Sequence, residues 1–216
     1  LQRNARVIPA SAIVYVLPVE SSVIARWNRV SRIALTDADV THGKTIHILP
    51  PNECLECSGA ASVHDLQLDQ IPEDTFQILS VDPVPAFRLN YECPNDLLYN
   101  ESSEHVVQLR PLSSPTLFDS PEDRTRQLDA LLMWWTLDMD GNGEILLSTE
   151  PKWIGERNIV QWRDHWMQAI YYLRRPLKIP PNASAINLIA NHDEHSLWFD
   201  AYCNDATLVP TTSSGN

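Results

Sequence analysis

Prolines and clusters of turn residues cut this chain into pieces too short for a helical domain. Sixteen Pro are distributed along 216 residues. A Pro inside a helix removes a hydrogen bond and clashes with the preceding turn, so the pattern argues for many short connections and few long helices. Between the breaks lie strand-like runs: Ala12 to Val19, Ser62 to Leu68, Val106 to Leu109, Leu131 to Asp138, Glu144 to Ser148, Trp166 to Leu173, Ala185 to Ala190 and Ser196 to Tyr202. Short strands recurring between polar turns predict a sandwich or barrel. In SVHDLQL, for example, Val63, Asp65 and Gln67 share one face and His64, Leu66 and Leu68 the other. Cys93 to Glu104 and Ser113 to Arg126 read as irregular surface insertions, and residues 204–216 as a disordered tail.

An apolar fraction of 44%, with seven Trp and six Tyr, is enough to build the core of one large β domain or one domain with an appendage. The net charge of −12 argues against a direct nucleic-acid binder, which needs clustered Lys and Arg, and makes basic proteins the natural partners. No apolar run approaches the ~20 residues of a membrane helix. The opening LQRNARVIPASAIVYVLPVE lacks an initiating Met and runs straight into a strand, so the chain is expected to be a fragment. Cys54 and Cys57 have zinc spacing but no second pair to complete four ligands. They read, with Cys93 and Cys203, as loop cysteines of a reduced compartment.

The stretch DMDGNGEILLSTE, from Asp138 to Glu150, has the early ligands of a calcium-binding EF-hand loop, but Thr149 stands where the closing bidentate Glu belongs. Its flanks, LLMWWTL and EILLS, are strand-like rather than helical. A hairpin turn between two strands is the expectation.

The densest stretch is QWRDHWMQAIYYL, from Gln161 to Leu173. In an extended segment the adjacent Asp164 and His165 point to opposite faces and cannot form the orienting pair of a catalytic triad. From the residues alone, Trp162 and Trp166 read as core and Asp164 and His165 as a solvated strand entrance.

RVIPASAIVYVLPVES, CSGAASVHDLQLDQI, LLMWWTLDMDGNGEI, QWRDHWMQAIYYL and INLIANHDEHSLWFD, in this order and spacing, resemble the β-barrel half of a protein arginine methyltransferase. The similarity extends from Arg6 to about Tyr202, and is greatest to the first of two tandem modules. It implies an all-β-dominated fold, the barrel of a class I arginine methyltransferase spanning 1–203, with a dimerisation arm inserted at about 27–58. The α/β domain that binds S-adenosyl-L-methionine (AdoMet) would be absent, so this fragment would bind no cofactor and be inactive alone. The family's Thr-His-Trp loop at the arginine pocket corresponds to Asp164, His165 and Trp166, with Asp164 departing from the common Thr. The resemblance further implies a parent that monomethylates arginine in basic proteins such as histones, paired with its own AdoMet domain and a second methyltransferase module, in cytoplasm and nucleus. The competing expectation is an independent acidic β-module that binds basic proteins, with its aromatic residues purely in the core.

Overall fold

The computed structural model describes residues 6–27, 33–36, 45–48, 62–93, 101–111, 125–154 and 166–203. In chain order the elements are β1 (Ser11–Glu20), helix α1 (Ser22–Trp27), β2 (Ile33–Thr36), β3 (Thr45–Ile48), β4 (Ser62–Leu66), β5 (Gln77–Ile78), β6 (Val84–Asn90), β7 (Glu101–Gln108), β8 (Arg126–Asp138), β9 (Leu146–Ser148), β10 (Gln168–Ile179), β11 (Ala185–His192) and β12 (Leu197–Tyr202). Short 3-10 turns lie at Leu68–Gln70, Glu73–Thr75 and Lys152–Ile154. Among the described residues no helix is long and apolar enough to cross a membrane.

The main sheet runs β4-β10-β8-β1-β5, with β6 also pairing β1 and β9 also pairing β8. β1 and β8 are antiparallel from Ser11 opposite Asp138 to Val19 opposite Ala130. A second sheet, β12-β11-β7, is fully antiparallel. β2 and β3 pair with each other and fall inside the stretch expected to be the arm.

Strand alternation sorts the central side chains onto two faces, and both are buried. Val16, Leu128, Leu131, Met133, Tyr171 and Leu173 meet Val107, Ile186, Leu188 and Phe199 of the second sheet in an inner core. Leu17, Val19, Ala130, Leu132, Trp134, Ile170 and Tyr172 face outward onto α1 and the 3-10 turns through Ile24, Leu68 and Ile71. Burial on both faces is why LLMWW is a solid apolar run rather than an alternating one. α1 is held at its start by Ser21, whose Oγ accepts from Ile24 N at 3.0 Å and donates to Thr75 O at 2.7 Å.

Several expectations need correction. β6 runs through VPAFRLN, where Pro85, with Pro83 just ahead of the strand, argues against a strand; Pro85 is accommodated because the ladder with β1 shifts register between Val14 and Tyr15. A bulge is one of the few places where a sheet tolerates Pro. β10 starts at Gln168, not Trp166, and continues past Pro176 to Ile179, with its ladder to β8 broken between Tyr172 and Leu177. β7 begins at Glu101, inside the stretch expected to be irregular, because each of its residues pairs with β11. Residues 204–216 and the CLEC pair lie outside the described residues.

Candidate functional site at the entrance of β10

β10 enters the sheet through a closed set of contacts. Gln168 is almost fully buried; its Nε2 donates to Thr149 O at 2.8 Å and its Oε1 accepts from Leu68 N at 2.9 Å. Thr149 in turn locks onto Trp135: Thr149 N donates to Trp135 O at 2.9 Å, and Trp135 N donates to Thr149 Oγ1 at 3.2 Å. The indole of Trp135 packs against Trp166, with ring centroids 5.2 Å apart and planes inclined by 49°. The chain of contacts therefore returns to β10 two residues before Gln168. Buried amide hydrogen bonds are directional and costly to leave unmade, so this circuit fixes where Trp166 sits.

Of the residues singled out from sequence, Trp166 is thus placed on the end of β8 and β10, while Asp164 and His165 lie outside the described residues. Trp135 and Gln168 were not singled out. The WW dipeptide and the Gln two positions after Trp166 were the only signals, and neither reveals a partner far away in sequence.

The hairpin expectation for DMDGNG holds. β8 and β9 pair antiparallel across it, and Gly141 and Gly143 take φ of 79° and 74°. Asp138 Oδ1 accepts from Asp140 N at 3.1 Å and Gly141 N at 2.8 Å, its Oδ2 accepts from Gly143 N at 3.2 Å, and Asp140 Oδ1 accepts from Ile145 N at 3.2 Å. These carboxylates serve the turn's own amides. Desolvation works to raise the Asp140 pKa, but the hydrogen bonds, led by that from Ile145 N, outweigh it and hold the carboxyl below its ordinary range.

At the β11–β12 turn, His192 Nε2 lies 3.5 Å from Glu101 Oε2 and its ring meets Phe87 edge-on; His195 Nε2 lies 3.2 Å from Glu194 Oε1. Asp193 accepts from the amides of His195 at 2.8 Å and Ser196 at 2.6 Å. These bonds hold its carboxyl below the ordinary range, against desolvation and with help from the two imidazoles. Among the described residues no group of three or more His, Cys, Asp or Glu is placed to hold a metal ion.

Residues 10–199 match the model of the arginine methyltransferase oligomerization subdomain. The chain belongs to the arginine methyltransferase family. It is 37% identical over 202 residues to protein arginine N-methyltransferase 7 of Caenorhabditis briggsae, covering 94% of this chain and 26% of that protein. The protein of the same name from Drosophila grimshawi is 32% identical over 224 residues, covering 97% and 29%, and that from Drosophila melanogaster 34% over 216 residues, covering 93% and 28%. The chain thus spans little more than a quarter of the length of these curated relatives. The family match agrees with the strand-dominated architecture, a curled main sheet closed on one face by the second sheet.

The described residues do not fit the AdoMet that such an enzyme implies. A nucleoside cofactor calls for a glycine-rich turn with free amides at a strand end. The two positive-φ glycines here lie in the β8–β9 turn, whose amides are taken by Asp138 and Asp140.

Proposed function

We propose that this chain is the substrate-side and self-association barrel of a protein arginine N-methyltransferase, with AdoMet held by another part of the parent and no activity in the barrel alone. The observation that supports the reading is the Trp166–Trp135–Thr149–Gln168 circuit, which ends on the Trp that the resemblance equates with the last residue of the family's Thr-His-Trp loop. Arginine stays protonated at neutral pH, with a pKa above ~12, and its lone pairs are delocalised. The task of the protein is therefore to aim one guanidinium nitrogen and balance the charge on the others. In this reading Trp166, pinned by Trp135, forms a rigid wall beside the guanidinium, and His165 hydrogen-bonds or charge-pairs across the seam to the neighbouring domain. A wall that cannot retreat leaves little room for a second methyl, which supports monomethylarginine as the product. Asp164, a carboxylate where the family commonly has Thr, reads a basic residue next to the target, in keeping with substrates such as histones. The stretch 27–58, which contains the β2–β3 hairpin, serves as the arm that holds a second module or copy.

The test is mass spectrometry of methylarginine formed by the full-length parent on a multiply basic peptide, with and without His165→Ala. Loss of product with the fold intact supports the reading. Undiminished monomethylation removes His165 from the pocket.

A further inference from the structure

The outer face of the main sheet carries a cleft of about 720 Å³ between the 3-10 turns and the connection from β5 to β6. Its apolar side is made by Leu17 with Phe76 and Trp153, whose rings lie 5.3 Å apart with planes inclined by 51°. All three belong to, or pack against, the outer core cluster that contains Trp134. None of Trp135, Thr149, Trp166 and Gln168, the residues of the circuit at the entrance of β10, lines this cleft.

Its charges are unbalanced. Glu73 and Asp82 line it, and neither is paired with a cation among the described residues. Among the described residues the one lining cation is Arg110, whose Nε donates to Ser80 O at 2.7 Å and Nη2 to Val81 O at 3.4 Å; its charge offsets one of the two carboxylates and leaves the other unmatched. Two carboxylates beside an aromatic pair, in a chain of net charge −12, complement a cationic side chain with an apolar stem, which packs on the rings while its head reaches the acids.

We propose that this cleft docks an arginine- or lysine-bearing stretch of the substrate protein at a distance from the residue that is methylated. The inference rests on the proposed function for the identity of its partner. Engagement here raises the local concentration of the target segment at the reacting pocket, so substrates with a distant basic stretch have a lower KM with kcat unchanged.

The test is binding of fluorescein-labelled oligolysine, which offers no arginine to methylate, to the full-length parent by fluorescence anisotropy. Glu73→Gln with Asp82→Asn is expected to weaken binding about fivefold and flatten its salt dependence. Trp153→Leu should weaken it less, and thermal melting confirms that both variants fold. Carbodiimide labelling should modify Glu73 and Asp82 in the free protein and be blocked by oligolysine. Unchanged affinity in the double variant overturns the proposal. So do carboxylates already unreactive in the free parent, which would assign the cleft to another part of the parent or a second copy. Because the readout is binding, it stays independent of whether His165→Ala abolishes methylation.

Discussion

Replacing Gln168 by Leu keeps the volume of the side chain and removes both of its hydrogen bonds. Thr149 O and Leu68 N are left behind in residues that are fully buried. Each such orphan costs about 1–3 kcal/mol, so the pair costs about 2–6 kcal/mol. The added apolar burial returns about 1–2 kcal/mol. A net loss of about 3 kcal/mol follows, which for a chain of this size lowers Tm by roughly 6–12 °C. Calorimetry reads the shift, and hydrogen exchange at the Leu68 amide should accelerate with it. Gln168→Glu provides an internal control. Its carboxylate accepts from Leu68 N but places a second oxygen against Thr149 O, so this variant should recover in acid, where a protonated carboxyl can donate. A drop of less than about 2 °C for Gln168→Leu would refute the view that this circuit fixes the entrance of β10.

Arg126 is buried and donates to Arg110 O at 2.8 Å and Ala183 O at 2.9 Å, so Arg126→Met should cost about 2–4 kcal/mol by urea unfolding. Arg126→Lys should rescue little of this, because an ammonium lacks the fork that reaches both carbonyls. Gly141→Ala and Gly143→Ala each force a side chain into positive φ at about 1–2 kcal/mol. Gly141→Ala should be the worse in the same assay, since its Cβ would meet Ala10 Cβ at 3.3 Å while nothing lies within 4 Å at Gly143. For Asp193, the amides of His195 and Ser196 hold the pKa below its ordinary 3.8. Its contribution to stability is therefore present above that value and lost as pH falls through the lower, folded-state value. The stability difference between the native protein and Asp193→Asn should shrink over this acid range when Tm is followed against pH.

How legible these features were from sequence depended on how local their causes are. β1, the β8–β9 hairpin and the β11–β12 pair announce themselves because their side chains and turns sit within a few residues of each other. β6 and the second half of β10 were hidden because proline penalises an unbroken ladder, and whether the ladder breaks at the right place is decided by the neighbouring strand. Nothing in the sequence marks Arg126 or Gln168 as buried, since nothing local distinguishes a buried polar side chain from a solvated one. The partner that buries Gln168 at Leu68 is 100 residues away in the chain. The importance of Trp166 was legible only by resemblance. Its support by Trp135 required the register that sets β10 against β8 and the turn that returns the chain to Thr149.

The central claim is that this barrel forms one wall of the pocket in which arginine is methylated. Photo-crosslinking tests it most directly: a basic peptide whose target arginine is replaced by a photoreactive residue is irradiated with the full-length parent, and the labelled positions are read by mass spectrometry. The account predicts labelling at Trp166 or the segment that leads into it, competed away by the unmodified peptide. Specific labelling confined to other parts of the parent, with none near the entrance of β10, would contradict it.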